Sequence, residues 1–168
     1  IQKGRTPLVL TTRTAHVKVL AQMLMPFADH VIQLIGADSA KEKRLALQNL
    51  QSIPTSESLV IVATGKYVGE GFDYPRLDTL FLTMPIAWKG NVEQYAGRLH
   101  RECEGKREVC IYDYVDIRVP LCDSMYRKRL KGYIKAGYGK NVISPAPDKN
   151  SQELIYEQNN YEAAFRND

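Results

Sequence analysis

The sequence has few of the features that mark secreted, metal-binding or membrane-spanning proteins. Its 168 residues include three cysteines and no C-x-x-C pair, so we expect no disulfide framework, no four-ligand zinc site and a reducing compartment. No apolar run approaches the roughly 18 residues that a membrane helix needs. The first residues lack the long apolar stretch and the small-residue cleavage site of a secretory signal. We therefore expect a cytoplasmic protein with no membrane partner and no bound metal of its own.

The composition is that of one ordinary globular domain. Apolar residues make up 44% and charged residues 25% of the chain, which allows a sizeable core and excludes general disorder. The net charge of +4 permits an anionic partner without requiring one. The chain begins at Ile1 rather than at Met, and we expect it to be a piece of a longer protein.

Short apolar runs alternate with amphipathic stretches over most of the chain. The runs are nearly all apolar, as strands covered on both faces are, and they lie at 7–12, 30–36, 58–64, 77–84 and 108–115. Helical spacing of apolar residues is found at 14–25 and 40–51, with Thr14 and Ser39 at the positions of N-caps. This alternation predicts an α/β domain with a parallel sheet and helices on both faces.

The pattern changes in the last third of the chain. Residues 120–136 predict a helix, residues 141–150 contain two prolines and predict a linker, and residues 151–165 predict a last helix. We therefore divide the chain into a domain at 1–117 and a helical extension at 118–168. The extension is basic and contains interleaved tyrosines. It is interpreted either as a nucleic-acid-binding surface or as a helix that packs by its tyrosines and keeps its lysines in water.

A glycine-rich segment follows the third predicted strand. The sequence TGKYVGEGFDYP at 64–75 has three glycines in seven residues, which allows tight turns and a close approach of a ligand to the backbone. Ligands of open α/β sheets gather at the carboxyl ends of strands, so Asp73 could accept a ribose hydroxyl. A plain surface turn is the alternative. The phosphate-loop pattern G-x-x-x-x-G-K-[ST] does not fit, because Val60 and Tyr67 occupy its outer positions. Nor does the dinucleotide fingerprint, because Tyr74 stands where it needs a glycine.

A second polar segment, NVEQYAGRLHR at 91–101, predicts the start of a helix. At about 100° per residue, Arg98 lies about 40° from Gln94 and Arg101 lies about 20° to its other side, so the three would share one face. Two arginines on one face form a fork that suits phosphate oxygens. The alternative is a solvated basic face, with Gln94 serving only as a capping-box residue.

The two polar segments resemble motifs V and VI of the superfamily 2 helicases and translocases. The Q-x-x-G-R-x-x-R element is the most specific part, and PLVLTTRTAHVKVLAQML resembles motif IV, the first strand and helix of the second RecA-like domain of these enzymes. The resemblance covers residues 5 to about 115 in matching order. Gly-Glu-Gly-Phe-Asp and the initial glutamine are similar to the DNA branch, with the XPB-like repair helicases and restriction-enzyme motor subunits.

The resemblance implies half of an ATP site. Such enzymes hold ATP and Mg²⁺ between two RecA-like domains, of which the first carries the phosphate loop and the acidic metal site. Neither a G-K-[ST] nor a D-E-x-[HD] run occurs in these 168 residues. The implied partners are the N-terminal RecA-like domain of the same chain, which would hold ATP and Mg²⁺, and nucleic acid, DNA rather than RNA. This fragment alone is expected to be inactive.

The resemblance also assigns roles to residues. Arg101 would be the finger that stabilises charge on the γ-phosphate, Arg98 an auxiliary phosphate ligand, and Gln94 would position the γ-phosphate or the attacking water. Gly71 and Asp73 would lie near the ribose. The residues that would contact the nucleic-acid backbone follow the first and third strands: Thr11, Thr12, Arg13 and Thr64.

Two other interpretations stay open. One keeps the superfamily and takes RNA as the substrate. The other is a non-enzymatic nucleotide- or phosphate-binding α/β module, in which the arginines act as ligand clamps. A phosphate loop and an acidic motif upstream of Ile1 would decide for the enzyme.

Overall fold

The computed structural model shows one mixed sheet with helices packed on it. It describes residues 4–69, 72–86, 91–116, 118–141 and 152–158. The strands are β1 (Pro7–Thr11), β2 (His30–Leu34), β3 (Leu59–Thr64), β4 (Thr79–Leu82), β5 (Val109–Val115), β6 (Gly139–Asn141) and β7 (Gln152–Gln158). The helices are α1 (Thr14–Leu24), followed by a 3-10 turn at Met25–Phe27, α2 (Ala40–Ser52), α3 (Gly65–Gly69), α4 (Asn91–Leu99) and α5 (Pro120–Lys135).

The five strands predicted from apolar runs form the parallel part of the sheet. The order across the sheet is β2-β3-β1-β4-β5-β7-β6. The first five strands in this order are parallel to one another. Every residue of the neighbouring strands β1 and β3 is buried, which explains why both runs are almost wholly apolar. Thr11 pairs with Thr64 at the ends of these strands, so the segments that follow them share one edge of the sheet.

Helices cover both faces of the sheet, as predicted. Alternate residues of β3 point to opposite faces: Ile61 belongs to a large apolar cluster and Val62 to a smaller one. Helix α1 covers the smaller cluster with Val17 and Ala21. The larger cluster is covered by α2, α3, α4 and α5, and it includes the fully buried Leu50 of α2. The predicted α/β class with a parallel sheet is therefore confirmed.

The two predicted helix caps have different outcomes. Ser39 caps α2 in a full capping box, in which its hydroxyl accepts a bond from the Glu42 N–H and the Glu42 carboxylate accepts one from the Ser39 N–H. The cap predicted at Thr14 is wrong, because Thr14 is already helical and Arg13 occupies the cap position. The carbonyl of Arg13 accepts the bond from the Val17 N–H at 3.1 Å, so the helical ladder begins one residue earlier.

The end of the chain differs from the prediction. Residues 151–165 were expected to form a helix, but Gln152–Gln158 is strand β7, antiparallel to both β5 and β6. The open edge of β5 explains the difference. Without β7, the backbone groups of β5 on the side away from β4 would lack sheet partners, and Ile155 and Tyr156 favour strands. The rest of this predicted helix and nearly all of the linker predicted at 141–150 lie outside the described residues. The division of the chain at 117/118 stays a prediction.

The first part of the extension packs by its tyrosines. Tyr126, Tyr133 and Tyr138 are buried in the larger apolar cluster, so the packing interpretation describes these side chains and they are not available to stack on bases. The basic residues Arg127 and Lys128 of α5 are exposed. None of the helices in the described ranges is long and apolar enough to cross a membrane.

Candidate functional site

The glycine-rich segment and helix α4 meet at the carboxyl edge of the sheet. The hydroxyl of the buried Tyr95 donates a hydrogen bond of 3.0 Å to the carbonyl of Gly65. A Cβ at Gly65 would lie 2.7 Å from that hydroxyl, so this approach requires glycine. A Cβ at Gly69 would lie 3.8 Å from Oε1 of Gln94. The structure therefore brings the two polar segments together.

Helix α4 is amphipathic, and it ends earlier than its predicted face requires. Ala96 and Leu99 are buried in the larger apolar cluster, whereas Gln94 is exposed and Arg98 is half-buried. The helix stops at Leu99, so Arg101 lies in the following turn. The prediction that Gln94, Arg98 and Arg101 share one helical face is therefore wrong for Arg101, because a projection at 3.6 residues per turn does not apply beyond the helix end.

Arg101 nevertheless contacts the glycine-rich segment. Its Nε lies 3.5 Å from Oδ1 of Asp73, and the two side chains are 57% and 43% exposed. An ion pair this exposed contributes little to stability, but it places a cation and a carboxylate next to each other on the surface of the domain. Gly71, the other residue expected near a ribose, lies outside the described residues.

Lys106 closes the turn that contains Arg101, and sequence reasoning did not identify it. Its Nζ donates hydrogen bonds to the carbonyl of Leu99 at 2.9 Å and to the carbonyl of Arg101 at 2.7 Å. Gly105 precedes it with a φ of +80°, a conformation that glycine adopts without strain. The Gly-Lys pair shortly after the second arginine was the available signal, but sequence alone does not show which carbonyls a lysine reaches.

The four residues expected to contact nucleic acid fall into a buried pair and an exposed pair. Thr11 is fully buried, and its hydroxyl lies 2.8 Å from Nδ1 of His16. Thr64 is 6% exposed, and its hydroxyl accepts a 2.8 Å bond from the N–H of Gly36. Both threonine hydroxyls therefore bond within the fold. The exposed pair are Thr12 and Arg13.

Lys66 adds an exposed cation on the same edge, which sequence reasoning had not assigned. Its Cβ lies 2.8 Å from the position that a Cβ at Gly36 would take. The absence of a side chain at Gly36 thus allows the stem of Lys66 to lie against the loop after β2.

Residues of the extension contact the chain both before and after α4. Arg129 of α5 is 1% exposed and donates a bond of 2.7 Å to the carbonyl of Ile86, ahead of α4. It also forms a two-pronged pair with the buried Asp113 at 2.7 and 2.8 Å. Behind α4, Nε2 of His100 lies 2.6 Å from the hydroxyl of Tyr138, and burial lowers the pKa of His100.

The described parts of the chain contain no group of three or more His, Cys, Asp or Glu side chains that could hold a metal ion. No family model matches the chain. It is similar to transcript termination protein A18 of vaccinia virus (strain Ankara), with 28% identity over 154 residues, which are 92% of this chain and 28% of that protein. The fowlpox virus (strain NVSL) protein of the same name is 24% identical over 123 residues, 73% of this chain and 26% of that protein. The chain thus spans little more than a quarter of the length of these relatives.

Among solved structures, the chain is similar to the C-terminal part of the Fun30 ATPase domain. The TM-score is 0.60 with 15% identity, over 76% of this chain and 40% of that one. This chain has a RecA-like fold. Arg101 and Asp73 lie together on the surface of this domain, in the region where the chain returns from the end of α4 to the start of β5. Arg98 lies three residues earlier, in α4. A guanidinium stays charged at any physiological pH and binds phosphate oxygens with two parallel donors, so this surface is chemically suited to a phosphate group.

Proposed function

We propose that this chain is the second RecA-like domain of an ATP-dependent DNA helicase or translocase. The observation that carries the proposal is the contact between Arg101 and Asp73, which joins the Q-x-x-G-R-x-x-R element to the glycine-rich segment. The likeness to the C-terminal part of an ATPase domain supports it. The similarity to viral transcript termination proteins supports a role with nucleic acid. The XPB-like branch and a cytoplasmic location stay predictions.

The proposed catalytic role belongs to Arg101, with Arg98 as a second phosphate ligand. Bound ATP would supply the γ-phosphoryl group that is transferred to water. ATP and Mg²⁺ would be held mainly by an N-terminal RecA-like domain, and this chain would add its guanidinium groups from across the cleft. A fixed guanidinium meets developing charge without moving a proton, and an arginine finger is worth about 10³–10⁵ in rate in this class of enzyme. Gln94, exposed on the first turns of α4, would orient the γ-phosphate or the water.

Asp73 has two proposed roles that its carboxylate cannot fill at the same time. The resemblance assigns it to the ribose with Gly71, whereas in this structure its carboxylate lies 3.5 Å from Nε of Arg101. We propose that Asp73 holds the side chain of Arg101 in place until the cleft closes. The pair is exposed and therefore weak, so a phosphate that accepts two bonds from Arg101 can displace it.

The proposed nucleic-acid contacts are phosphate contacts without sequence preference. Thr12, Arg13 and Lys66 are exposed at the carboxyl edge and would meet the backbone. Thr11 and Thr64 would support that edge through their internal hydrogen bonds rather than bind directly. DNA is proposed from the Gly-Glu-Gly-Phe-Asp sequence, and RNA is the alternative because the named relatives act in the termination of transcripts.

The test uses a protein that carries both RecA-like domains. Arg101→Ala should reduce kcat by about 10³-fold or more while ATP binding changes only a few-fold, since the finger acts on transition-state charge. Arg107→Ala is the matched control, because Arg107 is an exposed arginine in the same segment between α4 and β5. A normal kcat in Arg101→Ala would overturn the proposal. If the unaltered protein shows no turnover and Arg101→Ala loses nucleotide affinity, the result would favour the non-enzymatic binding module.

The nucleic acid is tested in the same protein by stimulating its ATPase with DNA or RNA of one sequence. Preferential stimulation by DNA supports the proposal, and preferential stimulation by RNA supports the alternative. The fragment 1–168 alone should show no turnover above contaminant controls, because it lacks a phosphate loop.

A further inference from the structure

The turn after α4 leaves the second arginine without the support of a helix. The helix ends at Leu99, and the last carbonyls of any helix lack partners within it. The side chain of Arg101 is 57% exposed, so packing restrains it little. The position of its guanidinium therefore depends in part on what fixes the backbone of residues 99–101.

The charged ammonium group of Lys106 fixes this stretch of backbone. Its ammonium donates to the carbonyls of Leu99 and Arg101 at 2.9 and 2.7 Å, which joins the end of α4 to the residue that carries the guanidinium. A cation is favourable at this end of a helix because the partial charge there is negative. The backbone N–H of Lys106 also donates to the carbonyl of Cys103 at 3.1 Å, so main chain and side chain close the same turn.

The ammonium of Lys106 lies among acidic neighbours, and the residue is half-buried. Burial lowers the pKa of Lys106, and the nearby Cys103, Asp78 and Asp73 act in the opposite direction. Asp73 is the carboxylate that contacts Arg101. Lys106 therefore belongs to the same charged group as the proposed finger, and its side chain reaches that group from the backbone side.

We propose that Lys106 is a positioning residue for Arg101. It holds the carbonyls of Leu99 and Arg101 so that the guanidinium of Arg101 is presented beside Asp73, where it can meet a phosphate. This inference rests on the proposed function, because it assumes that Arg101 acts on the transition state. It adds a residue outside the Q-x-x-G-R-x-x-R element, which sequence reasoning had left without a role.

The expected effect follows from the loss of preorganisation. Without the two bonds, the turn can sample other conformations, and a misplacement of about 1 Å in a catalytic group costs about 10²-fold in rate. We expect Lys106→Met to reduce kcat by about 10–100-fold while KM for ATP stays within about 3-fold. Lys106→Arg keeps donors for both carbonyls and should restore most of kcat. Arg107→Met, the exposed neighbour, should leave kcat unchanged.

The decisive measurement is a double-mutant cycle in the protein with both RecA-like domains. If Lys106 acts through Arg101, adding Lys106→Met to Arg101→Ala should lower the residual rate by less than about 2-fold, because coupled residues are not additive. A residue that merely stabilises the fold would lower the residual rate by the same factor as in the unaltered protein. That additive result would overturn the inference.

The other outcomes are also informative. A normal kcat in Lys106→Met, together with a collapse in Arg101→Ala, overturns the inference and leaves the proposed function standing. A normal kcat in Arg101→Ala overturns the proposed function and this inference with it. Should Lys106→Met fail to fold, Lys106→Gln enters the same cycle, with unfolding curves of each variant confirming that the assays compare folded protein. If Lys106→Arg lowers kcat as much as Lys106→Met or Lys106→Gln does, that result also counts against the inference.

Discussion

Replacing Arg129 by methionine is expected to destabilise the domain strongly. Arg129 is 1% exposed and is anchored by three hydrogen bonds of 2.7–2.8 Å, two to the carboxylate of Asp113 and one to the carbonyl of Ile86. Methionine fills a similar volume but donates nothing. Asp113 is fully buried, so it would keep its charge away from water with the hydroxyl of Tyr133, at 3.0 Å, as a remaining donor.

The magnitude follows from this burial. Removing one partner of a buried ion pair costs about 3–5 kcal/mol, because the remaining charge is uncompensated. The total stability of a domain is about 5–15 kcal/mol, so the loss is a large fraction of it. With a slope of about 2 kcal/mol per molar urea, the unfolding midpoint should fall by about 1.5–2.5 M.

The assay is urea unfolding followed by circular dichroism, with two comparison variants. Lys128→Met alters the exposed neighbour in the same helix and should change the unfolding free energy by no more than about 0.5 kcal/mol. Combining Arg129→Met with Asp113→Asn removes the unpaired charge and keeps an acceptor for Tyr133, so it should recover at least about 1 kcal/mol. A loss below about 1 kcal/mol in Arg129→Met, or no recovery in the double variant, would refute the reasoning.

Three further predictions concern the docking of α4, the turn that follows it and the segment after β1. Gly65→Ala should weaken the docking of α4 and lower the unfolding free energy by about 1–3 kcal/mol in a urea titration, because its Cβ would lie 2.7 Å from the hydroxyl of Tyr95. Gly97→Ala is the control: a Cβ at Gly97 would meet nothing within 4 Å, so this variant should be neutral or stabilising. Burial lowers the pKa of His100, so the unfolded chain binds a proton at this residue more readily than the folded chain does. The unfolding free energy should therefore fall as the pH drops below about 6.5. His100→Gln should flatten that part of the pH profile, and an unchanged profile would show that His100 is not the group responsible. Arg13→Ala, in a protein with both RecA-like domains, should reduce the slope of log affinity against log salt by about 0.7–0.9, measured by fluorescence anisotropy; an unaltered slope would move the nucleic-acid contacts to another surface.

The parts of the fold that sequence predicted are those governed by local pattern. The run PLVLT becomes the buried strand β1 because an all-apolar strand is stable only when both faces are covered. Ser39 and Glu42 form their capping box within four residues, so the chain can specify it without any tertiary contact. The first turns of α4 lie beside Gly65 because parallel strands end at one edge of the sheet, so the segments after β3 and β4 begin there.

The parts that sequence missed depend on distant contacts. Residues 152–158 look helical in isolation, and they form a strand because the edge of β5 is open to them. Thr11 and Thr64 look like surface residues after strands, but their hydroxyls serve His16 and Gly36. Lys106 reaches carbonyls five and seven residues behind it, and no local pattern announces which carbonyls a lysine will reach.

The central position of the first strand has a consequence for synthesis of the chain. β1 pairs with β3 on one side and with β4 on the other, so neither neighbour exists when β1 leaves the ribosome. At about 5–20 residues per second, the roughly 50 residues up to the end of β3 take about 3–10 s to be made. During that time this apolar segment lacks both of the strands that pair with it in the folded domain. Nascent chains of this domain should therefore depend on chaperones most before residue 64 has emerged.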